Sequence, residues 1–170
     1  MYYEDVFREL NKRKVRYLVV GGIAVNLYGV PRATMDLDLM VDTEGENLLK
    51  FVDALERMGY KPRVPVKATA LADPAKRREW QKKKHMVVFS FYRPALPYQE
   101  VDIFLNNPID FEEASKTRKF VVAEGIRIPL ISLDNLIKLK RELSREQDLS
   151  DVEALEKVKR ILKEKRREKG

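Results

Sequence analysis

"YLVVGGIAVNLYGVPRATMDLDLMV" runs from Tyr17 to Val41 and decides how the rest of the chain is read. Tyr17 to Val20 is an apolar strand, and Gly21-Gly22 turns it into a helix that ends near Gly29, with Pro31 beyond as a stop. Thr34 to Val41 is a second strand, carrying Asp36 and Asp38 with leucines between and after them. Successive strand side chains point to opposite faces, so Leu37 and Leu39 are predicted to enter the core while the two aspartates share the other face. They lie roughly 7 Å apart along the strand. Their like charges repel unless water or a cation intervenes, and simple surface solvation accounts for a lone D-x-D.

Working outward, residues 2 to 12 form an amphipathic helix with Tyr3, Val6, Phe7 and Leu10 at helical spacing. A helix over 45 to 58 turns Leu48, Leu49, Val52 and Leu55 inward. Lys61 to Pro74 is proline-punctuated and irregular. A basic helix over 75 to 84 precedes strands at His85 to Tyr92 and Tyr98 to Leu105. After a short helix near 109 to 115 comes a hairpin, Phe120 to Val122 and Ile126 to Ile128, turned at Glu124-Gly125. Helices over about 133 to 143 and 145 to 166 close the chain. The fold class is α/β (α+β): a mixed sheet flanked by helices with a C-terminal helical hairpin, expected as a single domain over 1 to 170, with the sheet core in 1 to 130 and the helices in 131 to 170.

Composition narrows the chemistry. The 170 residues contain no cysteine and one histidine, His85, which excludes disulfides and thiolate zinc sites and leaves any metal to oxygen ligands. The chain shows no signal pattern and no apolar run near the ~18 residues that span a membrane, so a soluble cytoplasmic protein is expected. The net charge of +7 is concentrated in "KRREWQKKK", Lys76 to Lys84, and in the Lys/Arg/Glu tail from Lys157 to Lys169. Trp80 in the first of these either stacks on a base of an RNA acceptor or packs its helix on the sheet. The tail reads as a solvated helix face with i,i+4 pairs.

A third acid strengthens the D-x-D. In "YQEVDIFL" the alternation sends Val101, Ile103 and Leu105 inward and Glu100, Asp102 and Phe104 outward. Asp36, Asp38 and Asp102 on neighbouring strands would form an oxygen-lined site for Mg²⁺ or Mn²⁺, with two ions expected alongside a nucleoside triphosphate. Gly21 and Gly22 let backbone approach a phosphate at a helix N-terminus.

Gly21-Gly22, Asp36-Leu37-Asp38-Leu39 and Val101-Asp102-Ile103 resemble the nucleotidyltransferase superfamily, with its DNA polymerase β-like fold. The fuller string, with Tyr28-Gly29, Arg32 and Thr34, is similar to a small prokaryotic branch that includes AbiEii-type toxins. The similarity extends to "ISLDNLIKLKRELSREQDLSDVEAL", Ile131 to Leu155. It implies that Asp36, Asp38 and Asp102 bind metal, that Gly21 and Gly22 lie under the phosphates, and that Lys140, Asp148 and Asp151 match a nucleotide-site motif. The implied activity is transfer of an NMP from an NTP to an acceptor hydroxyl, Asp102 assisting its deprotonation. Non-catalytic nucleotide or RNA binding and a tRNA-modifying toxin held by an antitoxin are the alternatives.

The C-terminal helices carry charge on apolar faces independently of that resemblance. Leu133, Leu136, Ile137 and Leu143 define one stripe with Lys140 in its middle. The next helix, opening at Ser144 with Gln147 as capping-box partner, has Asp148 and Asp151 in line with Leu155, Val158 and Leu162. Either Lys140 pairs with these aspartates to pin the hairpin, or it reaches a phosphate that they help orient. Arg32 and Thr34 likewise either touch the triphosphate or fix the loop before the D-x-D.

Overall fold

The computed structural model describes residues 2–168, and within them the elements follow the expected order with local differences. The helices are α1 (Glu4–Lys12), α2 (Gly21–Leu27), α3 (Gly45–Arg57), α4 (Pro74–Lys84), α5 (Phe111–Lys116), α6 (Leu133–Leu143) and α7 (Glu146–Arg167). The strands are β1 (Tyr17–Val19), β2 (Leu37–Val41), β3 (Lys61–Pro62), β4 (Val88–Arg93), β5 (Leu96–Phe104), β6 (Lys119–Ala123) and β7 (Ile126–Leu130). All seven strands join one mixed sheet in the order β3-β4-β5-β2-β1-β7-β6. The pairs β2–β5 and β1–β7 are parallel and the others antiparallel.

Register decides what each face carries. Leu37 opposes Val101 and Leu39 opposes Ile103, while on β4 Phe91 and Phe89 continue the same two rows. All six are at most 1 % exposed, and Phe51 of α3 meets Phe91 edge-on with ring centroids 5.8 Å apart. The intervening row, Ser90–Asp102–Asp38, therefore faces the other side of the sheet. On that side α2 packs on β2 and α6 packs on α2, and α7 lies against α6.

Turn and cap chemistry explains most boundaries. Asp73, Asp110 and Ser132 cap α4, α5 and α6 by accepting backbone N–H bonds. Glu124 and Gly125 both have positive φ, 51° and 72°, as a two-residue hairpin loop of the primed type requires. Buried Asn47 ties β1 to β2 by accepting from Arg16 N and donating to the Arg16 and Asp42 carbonyls.

Several sequence expectations need correction: Leu49 faces outward at 46 % exposed, and β2 begins at Leu37 rather than Thr34. His85 does not begin a strand: it is the left-handed cap of α4, and β4 starts at Val88. Ser144 does not open the last helix, because it ends α6 at φ 54° with its hydroxyl donating to the Arg141 carbonyl, and Arg145 precedes α7 without a side-chain cap. Residues 61 to 74 are not wholly irregular, since they contain the edge strand β3 and a 3₁₀ turn at Ala68–Ala72. The tail beyond residue 168 lies outside the described residues.

Tyr3 is the contact that aligns the segment before β2. Its buried hydroxyl donates to the Met35 carbonyl at 2.5 Å and accepts the Glu100 N–H at 3.0 Å, bridging the approach to Asp36 and the strand that carries Asp102. Burial and the nearby aspartates push the phenol up to about 12. Tyr3→Phe leaves both backbone groups without that partner, so we expect a loss of about 1–3 kcal/mol in urea unfolding.

Candidate active site

Two glycines set the corner of the site. Gly21 has φ +64°, and a Cβ there would fall 1.9 Å from Asp38 Oδ2, so the carboxylate occupies the space that any side chain would need. A Cβ on Gly22 would lie 2.5 Å from Thr34 Oγ1 and 2.9 Å from Arg32 Nη1. Backbone at the start of α2 is thus in direct contact with the segment leading to β2. Asn26 fixes that segment by accepting from Arg32 N at 2.7 Å and donating to the Arg32 carbonyl at 3.0 Å.

Asp38 and Asp102 stand directly opposite one another on the parallel pair β2–β5. Burial, then the Asp102 charge, then Asp36 push the Asp38 carboxyl up to about 6, against the lowering effect of the Gly22 N–H and of Lys140. Asp102 is also raised, by burial first and by Glu100 and Asp36, against the lowering effect of Ser90 and Arg63. Its Oδ1 is buried with no hydrogen-bond partner among the described residues. Asp36 lies one residue before β2 and is exposed, raised by partial burial and Glu100 while Arg63 pulls it down. Arg63 itself forks onto Glu100 with two 2.9 Å bonds.

The aspartate pair opens into a cleft of about 280 Å³. Gly21, Gly22, Arg32, Lys140 and Arg145 form its polar wall, and Val87, Val88, Phe104 and the α6 leucines Leu136, Leu139 and Leu143 form an apolar one. Asp36, Thr34, Asp148 and Asp151 do not line it. Among the described residues no three acids converge as a ready-made cation site. The oxygen set that fits a divalent cation is the Asp38–Asp102 pair with its orphaned Oδ1, two like-charged groups that a cation between them would neutralise.

Lys140 is 3 % exposed and lies 2.9 Å from Asp148 Oδ1 and 2.8 Å from Asp151 Oδ2. Arg32 reaches Asp151 at 3.0 Å and Arg145 reaches Asp148 at 2.6 Å. Burial works against the Asp148 charge, but Arg145 and Lys140 together hold its carboxyl below the usual range. The hairpin-pinning ion pair, one of the two alternatives drawn from the sequence, is present, and Arg32 extends it to the loop before β2. Trp80 is buried and packs on Phe89 at 5.6 Å between ring centroids, which removes it from base stacking.

Sequence reading missed Tyr3, Asn26, Arg145 and the apolar pair Val87–Val88. Exposure of 61 % at Val87 beside a charged cleft marks the last, but only once the strand boundary is known.

The model of the aminoglycoside-2''-adenylyltransferase family matches residues 3–155, which takes in every element from α1 to the buried part of α7. The chain belongs to that family. It is a nucleotidyltransferase, and the match does not confirm the resemblance to the AbiEii-type branch. Among solved structures, this nucleotidyltransferase is similar to the lincosamide antibiotic adenylyltransferase LnuA in its lincomycin-bound form, with 19 % identity, TM-score 0.60, and coverage of 90 % of this chain and 93 % of that one. It is also similar to ANT(2'')-Ia in complex with adenylyl-2''-tobramycin, with 13 % identity, TM-score 0.58, and coverage of 98 % and 95 %. A protein of Thermotoga maritima described as a nucleotidyltransferase follows at 20 % identity, TM-score 0.53, and coverage of 95 % and 93 %. No curated protein sequence matches significantly. At these identities the solved structures show a shared fold. No helix among the described residues is long and apolar enough to cross a membrane.

The raised Asp38 has a consequence with a definite sign. Between about 4 and 6 the folded protein keeps a proton that the unfolded chain, titrating near 3.8, has released, so stability falls as pH rises through that window. In EDTA, Asp38→Asn should shrink the fall to the part that Asp102 and Asp36 contribute and be the more stable protein at pH 7, by about 2–3 kcal/mol in urea titrations.

Proposed function

We propose that the enzyme transfers an NMP from an NTP to a hydroxyl of a small antibiotic-like acceptor with release of pyrophosphate. The observation that carries this is the Asp38–Asp102 pair set in register beneath the Gly21–Gly22 corner. The triphosphate lies along that corner, where the N–H groups opening α2 and the cations Arg32 and Arg145 meet it. Lys140 commits donors to Asp148 and Asp151 and presents its remaining charge to the cleft. Asp148 and Asp151 act as positioning residues, aiming Lys140, Arg145 and Arg32. The nucleoside rests on the apolar wall of Val88, Phe104 and Leu139.

Asp38 and Asp102 would hold Mg²⁺ or Mn²⁺ together with substrate phosphate oxygens, and Asp36 joins by turning inward from the strand entry. The cation, when bound, neutralises phosphate charge and makes the α-phosphorus a better electrophile. The acceptor oxygen bonds to that phosphorus, the bond to the bridging oxygen of the β-phosphate breaks, and the acceptor proton passes to Asp102. The acceptor class rests on the family and on the antibiotics bound in the two similar structures. An RNA acceptor and an antitoxin partner gain no support from these relatives, and Lys82, Lys83 and Lys84 form an exposed basic end of α4.

Incubation with α-labelled NTPs, Mg²⁺ or Mn²⁺ and a panel of aminoglycosides and lincosamides should move label to an antibiotic with equimolar pyrophosphate. Asp38→Asn or Asp102→Asn should lower turnover by about a thousandfold or more. NTP binding without transfer to any member of the panel would discard the acceptor class, and absence of NTP binding would discard the reading itself.

The apolar wall gives a separate expectation. Val88→Asp places a charge beside the nucleoside and should raise KM for the NTP about tenfold with kcat little changed, measured by steady-state pyrophosphate release.

A further inference from the structure

A second cavity, of about 430 Å³, lies where the end of α1, the start of β1, α5 and the β6–β7 hairpin meet. It shares no residue with the catalytic cleft, and the two sit at opposite ends of β1, Tyr17 lining one and Val20 the other. Lys14, Arg16, Arg118 and Arg127 all line it and no acidic residue does. Four cations around one concavity with no carboxylate among its lining residues concentrate one sign of charge in a small volume.

Pairing separates the four. Arg16 is neutralised by Asp42 at 2.6 Å and by Glu112. Lys14, Arg118 and Arg127 have no ion pair among the described residues. Three uncompensated cations around one concavity repel, and each would be free to turn into bulk water. Instead, two of them are held in place. The Arg127 guanidinium stacks 3.6 Å from the centroid of the Phe120 ring, and that of Arg118 lies 5.1 Å from the same ring. Arg118 Nη1 also donates to the Ser115 carbonyl at 2.5 Å and to Ser115 Oγ at 2.8 Å. The backbone under Arg127 is fixed by Asn11, which donates to its carbonyl at 2.8 Å.

A guanidinium stacked on an aromatic face keeps its in-plane donors available, and that fork matches the oxygens of a phosphate. Phe120 is 41 % exposed on the outermost strand, so it serves as a platform for the arginines rather than as core. The local charge excess calls for a ligand with several negative charges in a small volume. Consecutive phosphates supply this, and each offers terminal oxygens that a guanidinium fork can meet in parallel.

We infer that this cavity is a second anion site, independent of the catalytic reading, that takes a ligand carrying two or three consecutive phosphates, either free or as the backbone of a single-stranded nucleic acid. The stacked pair Arg118 and Arg127 grips the phosphates and Lys14 closes the site from the end of α1.

The test uses full-length protein in EDTA with Asp38 and Asp102 intact, so that metal-dependent binding in the cleft does not contribute and its two carboxylates repel phosphate. Calorimetric titration with inorganic tripolyphosphate should show one site, and adding Arg118→Gln and Arg127→Gln should weaken it at least tenfold with an unchanged thermal melt. Lys14→Gln, which leaves Phe120 untouched, should weaken it by a smaller factor and covers the case in which the double arginine variant misfolds. A 12-nucleotide single-stranded RNA distinguishes the sources. Competition with tripolyphosphate, and a salt slope shallower by about 1.4 without the two arginines, identifies nucleic-acid backbone; RNA that does not compete identifies a free phosphate ligand. Tripolyphosphate affinity unchanged in both the arginine and Lys14 variants, no tripolyphosphate binding, or tighter binding of a ten-residue polyglutamate would overturn the proposal.

Discussion

Two carboxylates facing each other across a parallel strand pair are unfavourable neighbours, and much of the structure around Asp38 and Asp102 can be understood as accommodation of that fact. Desolvation and mutual repulsion both oppose their charged forms, which is why Asp38 is displaced to about 6. Against this stand the Gly22 N–H, the Ser90 hydroxyl and the field of Lys140. None of these quenches the repulsion. What remains is a site whose folded form favours a positive charge between the two groups, and whose glycine corner leaves the backbone able to meet an anion beside it.

Lys140 links this site to the C-terminal helices. Breaking a buried ion pair by removing one partner costs more than the pair gains, because the surviving charge is stranded. Lys140 satisfies Asp148 and Asp151 together, while Arg32 and Arg145 complete each aspartate from opposite sides. The loop before β2, α6 and α7 therefore share one electrostatic cluster. Its members matter to the cleft even where, as with Asp148 and Asp151, they do not line it.

Patterns of period two and of helical period carried most of the fold in the sequence, since Leu37, Leu39, Val101 and Ile103 alternate with Asp38 and Asp102 without ambiguity. The inward Lys140 was legible for the same reason: a charge in an apolar stripe demands a partner, and Asp148 and Asp151 occupied the matching stripe. Contacts between distant segments were not legible. Tyr3 looked like one more apolar residue of α1, and nothing local says that its hydroxyl bridges Met35 and Glu100. The three-lysine run obscured the left-handed cap at His85, because backbone sign at a non-glycine residue leaves no compositional trace. Asp36 looked equivalent to Asp38 by spacing, yet the strand begins one residue after it, so the paired ladder that orders Asp38 does not extend to Asp36.

The position of Asp148 and Asp151 in the chain bears on how the protein is made. Synthesis runs from the N-terminus, and every strand of the sheet, the glycine corner and both aspartates of the pair precede Leu133. A nascent chain that has emerged as far as Leu143 thus holds the whole sheet and Lys140 but neither of the carboxylates that neutralise it. Until the first two turns of α7 follow, Lys140 must stay hydrated and α6 cannot settle against α2 as it does in the finished protein. The cleft is consequently among the last features to close during translation, and a chain ending before Asp148 would hold the aspartate pair and the glycine corner without the carboxylates that place Lys140.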